Sequence, residues 1–265
     1  MPNVNVLKKE LFAAVGREFT DEQFEDLCFQ YGVELEIGSP EEMQMTRNDA
    51  DGKAIDISKE IVYKIEVAAK RNDLLCLEGI SEALRAYLGI SKAPRYNVKK
   101  PENPIRIVVK PETASVRPYV VGCVLRNITF DHKNYNSFID LQDKLHNNIC
   151  RKRTLASMGT HDLDKLASDE PITYEAQKPE DIVFQALKQK EAMDCVKLFE
   201  VFKNDIKMKK FLPILEPHER YPVFYDKNRQ VLSLPPIINS EATKITLDTK
   251  NVFIEITGTD LVKTK

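Results

Sequence analysis

The chain has 265 residues, 42% of them hydrophobic and 30% charged, with 39 basic against 41 acidic residues and a net charge of -2. That length supports one large domain or two modest ones with cores that need no disulfide staples. The balanced charge excludes a global basic field of the kind that coats nucleic acid, so any RNA contact must be a local patch.

Thr20 and Gln23 make a capping box, and Phe24, Leu27, Cys28 and Tyr31 then recur at helical spacing until Gly32 stops the turn. Residues 38 to 58 are polar and read as a loop, and Ile61 to Val67 as a short strand. A helix is predicted to start near Asn72 or Asp73, with Leu77, Ile80, Leu84 and Leu88 on one face and Gly89 at its end. Residues 1–90 therefore read as a small N-terminal α/β domain. Residues 91–104 carry three prolines and four basic residues and read as an extended, exposed linker. Residues 105–265 read as a larger mixed α+β domain with a central β-sheet. Its predicted strands are Ile105 to Val109, Tyr119 to Leu125, Ile172 to Glu175, Val223 to Tyr225, Val231 to Leu234, Lys244 to Leu247 and Val252 to Thr257. A helix over Ser137 to Lys152 buries Phe138, Leu141, Leu145 and Ile149, Asp226 to Arg229 make a hairpin turn, and residues 189–212 form a lysine-rich helical excursion. The fold class is α+β.

The five cysteines, Cys28, Cys76, Cys123, Cys150 and Cys195, form no CxxC pair and flank no histidine at a metal-ligand spacing. Most read as small buried thiols of a reducing compartment, and no metal site is expected. No secretion signal opens the chain and no stretch approaches about 18 consecutive apolar residues, so a soluble cytoplasmic protein without membrane contact is expected.

Four local features could carry chemistry. Arg151-Lys152-Arg153 at the end of the helix from Ser137 either complements the helix dipole or grips phosphates. Gly159-Thr160-His161-Asp162-Leu163-Asp164 is either a surface loop or a place where His161 and Asp164 orient water or a ribose hydroxyl. Leu232-Ser233-Leu234 runs into Pro235-Pro236, which cannot continue a central strand; the turn is either a stiff sheet corner or a pocket wall. On Val252 to Thr257, strand alternation puts Phe253, Glu255 and Thr257 on one face. Glu255 among bulky β-formers is either an edge carboxylate facing water or a charge with a task. No Gly-rich phosphate loop, HExxH or GxSxG motif is present.

Six ordered segments resemble the eukaryotic and archaeal phenylalanyl-tRNA synthetase β subunit: the opening Met-Pro-Asn-Val-Asn-Val with Leu27-Cys28-Phe29, Asp73 to Ile80, Ile149 to Arg153, Gly159 to Asp164, Leu232 to Asn239, and Asp248 to Gly258. Residues 168 to 220 match only loosely, and no site residue is assigned there. The resemblance implies an aminoacyl-tRNA synthetase of protein biosynthesis whose second domain proofreads by hydrolysing tyrosine misattached to tRNA(Phe). It implies Glu255, Ser233, Thr257 and His161 as the catalytic set, and Phe224, Pro235, Pro236 and Asn239 as the substrate pocket. Arg151 and Arg153 are then the tRNA-binding residues. It further implies an α2β2 heterotetramer with an α subunit that holds the ATP, Mg and phenylalanine site, no cofactor in this part, and more β subunit after Lys265. A non-catalytic tRNA-binding or assembly scaffold, and a free-standing hydrolase of mischarged tRNA, are the competing readings; the N-terminal unit favours the synthetase.

Overall fold

A computed structural model describes residues 2–48, 54–167 and 171–265. The chain divides into two compact units: residues 1–99 with 131–149, and residues 100–130 with 150–265.

The first unit contains β1 (Asn3–Leu7), α1 (Lys8–Val15), α2 (Asp21–Tyr31), β2 (Glu34–Gly38), β3 (Val62–Glu66), α3 (Leu77–Tyr87) and α4 (His132–Asn147). The three strands form an antiparallel sheet in the order β1-β3-β2. α2 has the predicted capping box at Thr20 and Gln23, and Gly32 closes it at φ 88°, a conformation that disfavours any side chain. Helix α3 begins later than its pattern predicts, because Asn72–Leu74 form a separate 3-10 turn and the Cys76 sulfur accepts from the Gly79 amide. Strand β1 and helix α1 had no sequence signal strong enough to call on. Within the polar stretch 38 to 58, short strands at Arg47–Asn48 and Ala54–Ile55 pair; the residues between them lie outside the described ones. Phe12, Phe24 and Tyr63 stack and cross at the centre of this core.

Helix α4 corrects the helix placed over 137 to 152, and it belongs to the first unit although it follows the linker in sequence. It starts at His132 behind an Asp131–Asn134 capping box and ends at Asn147. Leu141 and Leu145 of its apolar stripe pack on the first unit's core, and Asn148 donates to Ala69 O and Asn72 Oδ1. Burial of that stripe takes it out of the second unit.

The second unit contains β4 (Ile107–Val109), β5 (Tyr119–Leu125), β6 (Ala156–Asp162), β7 (Ile172–Gln177), α5 (Cys195–Lys203), β8 (Tyr221–Tyr225), β9 (Val231–Leu234), β10 (Ile238–Asn239) and β11 (Val252–Gly258). One sheet runs β10-β9-β8-β7-β4, with only β4 and β7 parallel among its pairs; the other runs β5-β11-β6, antiparallel throughout. Pro222 lies within β8 but pairs only with Ala176, since β8 meets β9 from Phe224 onward. Its missing N–H therefore costs no ladder bond. Asp226 Oδ1 caps the hairpin turn by accepting from the Asn228 and Gln230 amides. Lys244 to Leu247, predicted as a strand, form no strand; Thr246 instead donates its amide to Thr249 Oγ1. The sequence around His161, which allowed a surface loop, is strand β6.

Candidate functional site

Strand β11 is central in its sheet, paired to β5 on one side and β6 on the other. The register sets Phe253 opposite His161, Glu255 opposite Gly159 and Thr257 opposite Ser157. In the other sheet Phe224 stands opposite Ser233 and Tyr174 opposite Phe224, with the two rings stacked at 4.5 Å. The faces meet where Ser233 Oγ donates to Glu255 Oε1 at 2.9 Å. Glu255 is thus an interior group rather than an edge carboxylate facing water: it is 1% exposed, Ser233 1%, His161 0% and Thr257 0%.

Two polar atoms in this sealed cluster, Glu255 Oε2 and His161 Nε2, have no hydrogen-bond partner among the described residues. Buried polar atoms are nearly always satisfied, and one left unpaired costs about 1–3 kcal/mol. Both lie against Gly159, with Glu255 Cδ 2.9 Å and His161 Nε2 3.0 Å from where its Cβ would stand. Burial, opposed by the Ser233 bond and the Arg117 charge, pushes Glu255 up to about 8, so at neutral pH it is a carboxylic acid. Burial pulls His161 down to about 3, so its imidazole is neutral. His161 Nδ1 shares a 2.8 Å bond with Thr243 Oγ1, and the ring stacks on Phe253.

Gly159 is what lets these groups sit together. A Cβ there would collide with Glu255 Oε1 and stand 3.0 Å from His161 Nε2. Gly159→Ala is therefore expected to destabilise the unit by about 1–3 kcal/mol through overpacking. Urea unfolding of the Gly159→Ala, Glu255→Ala and double variants checks the cause: the double should cost clearly less than the two singles combined. Strict additivity would separate Gly159 from the carboxyl.

Arg117, which the sequence did not single out, is 1% exposed. Its Nε donates to Thr257 Oγ1, Nη2 to Thr257 O and Ser157 Oγ, and Nη1 to the carbonyls of Arg153 and Thr154. All five donors of the guanidinium are used. Thr257 is consequently an anchor for Arg117, not an open hydroxyl waiting for water. Tyr174 Oη donates to Arg117 O, tying the second sheet to the same post.

Strand β9 halts at Leu234, before Pro235-Pro236, as their missing N–H groups require. Pro235 and Pro236 are buried and joined by a cis peptide, and Asn239 Nδ2 donates to Thr160 O. Arg153 departs from its expected role as a phosphate grip. Its Nη1 donates to Pro236 O at 3.2 Å and Ile237 O at 2.9 Å, while its guanidinium lies 4.1 Å from the Phe211 ring centre. Arg151 is exposed. The three residues Arg151, Lys152 and Arg153 follow helix α4 in a turn with φ of 47°, 54° and 68°, so they do not complement a helix end. Asp164 takes a hydrogen bond from Asn251 at 3.2 Å and is not in the buried cluster.

The Phe-tRNA synthetase beta subunit B1 domain model matches residues 1–90 and the B3/4 domain model matches residues 116–265. The chain is 49% identical to the cytoplasmic phenylalanine--tRNA ligase beta subunit of Arabidopsis thaliana, over all of this chain and 44% of that protein. To the Homo sapiens beta subunit it is 46% identical, over all of this chain and 45% of that protein. It thus spans less than half the length of these relatives. The crystal structure of an N-terminal fragment of the Pyrococcus horikoshii beta subunit superposes with a TM-score of 0.81 at 30% identity, covering 99% of this chain and 70% of that one. These matches place the chain in the phenylalanyl-tRNA synthetase β-subunit family.

Proposed function

We propose that the second unit removes tyrosine misattached to tRNA(Phe), as a proofreading module of a cytoplasmic phenylalanine--tRNA ligase that acts with an α subunit in an α2β2 assembly. The observation that carries this reading is the buried pair of unpartnered atoms, Glu255 Oε2 and His161 Nε2. A hydrophobic activating pocket discriminates poorly, by only about 10²-fold, against a near-isostere that adds a hydroxyl. A second site with unpaired buried polar groups chooses the opposite way, because a phenyl ring would leave those groups unpaired.

In this reading Glu255, as a neutral acid, donates to the phenol oxygen, and the phenol hydrogen finds His161 Nε2. Phe224 is the apolar wall beside Ser233, and Ser233 fixes the carboxyl. Access requires the loop of Pro235, Pro236 and Asn239 to move, breaking the bonds from Arg153 and from Asn239. An imidazole held near 3 is a weak proton acceptor at neutral pH. His161 therefore positions substrate, and the ester is attacked by a water aligned with help from the tRNA's ribose hydroxyl. Aminoacylation, with its ATP and Mg, belongs to the α subunit.

Deacylation of tyrosyl-tRNA(Phe) beside phenylalanyl-tRNA(Phe) by the assembled synthetase tests this. Wild type should clear the tyrosyl ester selectively, and Glu255→Ala should lose that preference by about 10²-fold or more. Equal clearance by both proteins would remove Glu255 from phenol recognition. Binding of tRNA without any hydrolysis by wild type would favour the scaffold reading.

A further inference from the structure

Two basic segments far apart in sequence meet at one ring. Phe211, 4% exposed, carries the Arg153 guanidinium 4.1 Å from its centroid and the Lys210 ammonium 4.9 Å from it. The ring thereby joins the turn of Arg151, Lys152 and Arg153 to the segment of Lys207, Lys209 and Lys210 that follows α5. Arg151, Lys152, Lys207, Lys209 and Lys210 are all exposed. Among the described residues none of these five forms an ion pair. Of the acids nearby, Glu200 pairs with Lys203, Asp205 Oδ1 accepts the Lys207 and Met208 amides, and Glu216 acts on Lys203. A concentration of unneutralised cations in a chain of net charge -2 is a property of the fold, not of the composition.

The turn that presents two of these cations is held against its own backbone preference. Arg151, Lys152 and Arg153 all have left-handed φ, a conformation that non-glycine residues adopt only at an energetic cost. Arg153 is fastened at the same time to the Pro236 and Ile237 carbonyls of the pocket loop. The cationic patch is therefore anchored directly beside the loop that follows Ser233, the residue bonded to Glu255.

We infer that Lys207, Lys209 and Lys210, brought by Phe211 beside Arg151 and Lys152, form a phosphate-binding rim that holds a single-stranded RNA end at the pocket loop. The inference rests on the preceding reading that an RNA-borne ester reaches this unit. Lysine ammonium groups suit it because a flexible single strand offers phosphates at varying positions and needs point charges more than fixed forks.

The test is direct binding of a short single-stranded oligoribonucleotide to the protein over a range of salt, for wild type and three variants. Lys209→Glu/Lys210→Glu should weaken binding by about 10-fold and lower the slope of log affinity against log salt by about 1.4, the release of counterions from two phosphates. Arg151→Asn/Lys152→Asn, which keeps residues tolerant of left-handed φ, should weaken binding in the same direction. Lys227→Glu/Lys250→Glu makes the same change in net charge at the opposite ends of β9 and β11 from the rim and should leave the slope near wild type. Equal losses in the rim and control variants, or wild-type binding by the rim variants, would overturn the inference. Deacylation of tyrosyl-tRNA(Phe) by the wild-type synthetase is measured beside the binding, so a failure of the hydrolytic reading is seen separately from a failure of the rim.

Discussion

Arg117→Ala is expected to lower the stability of the second unit by about 4 kcal/mol or more, the largest effect of any single truncation in it. The side chain fills interior volume, and its loss leaves the carbonyls of Arg153, Thr154 and Thr257 and the hydroxyls of Ser157 and Thr257 short of a donor. Arg117→Met separates the two contributions, since it keeps much of the volume and removes every donor. It should still cost about 2 kcal/mol in urea unfolding. Arg117→Lys retains the charge but offers three donors where five are used, so it should recover only part of the loss. A methionine variant as stable as wild type would mean that the hydrogen bonds contribute nothing net. Because Thr257 and the turn at Arg153 both depend on this guanidinium, the same variants should loosen the pocket loop and raise its amide exchange.

Glu255→Gln is expected to stabilise the unit, and to do so more as pH rises. The folded carboxyl sits at about 8 against an ordinary 4.5. Below 4.5 the acid is neutral in both states, and its burial carries no ionic penalty. Between 4.5 and 8 the unfolded chain releases the proton while the folded one keeps it, so stability falls with pH by up to about 1.4 kcal/mol per unit. Beyond about 8 both states are ionised and the loss levels off. His161 acts oppositely: its folded value of about 3 lies under its ordinary 6.5, so its contribution is present above 6.5 and lost as pH falls. The histidine is unchanged in the variant, so the difference between wild-type and Glu255→Gln curves isolates the carboxyl. Urea midpoints at pH 5, 6.5 and 8 should show that difference widening. A gap that stays constant over this range would return Glu255 to the ordinary carboxylate range and undercut the neutral donor assigned to it.

These two residues divide in how far the sequence revealed them. Alternation along Val252 to Gly258 fixed that Phe253, Glu255 and Thr257 share a face, because the strand repeat is a consequence of backbone geometry and needs no partner. The α2 capping box, the Asp226 turn and the halt at Pro235-Pro236 were legible for the same reason: each depends on φ, on a missing donor, or on a side chain reaching its own backbone. Resemblance across six ordered segments supplied the family and the candidates for the proposed pocket.

Local pattern could not decide which face of β11 was inside, since both faces carry bulky apolar residues; only flanking by β5 and β6 and the opposing sheet settled it. Arg117 has no local signature of burial, because the oxygens that accept its protons include Thr257, 140 positions away. Arg153 read as a surface cation and became a strap on a loop 83 and 84 positions onward. Helix α4 was recognisable as a helix, yet its unit depended on which core its leucines met. Sequence thus determined the repeats, turns and family of this chain, which covalent geometry and near neighbours control. Tertiary structure decided which polar groups lost water and what satisfied them, because burial is a property of partners that the chain brings together only on folding.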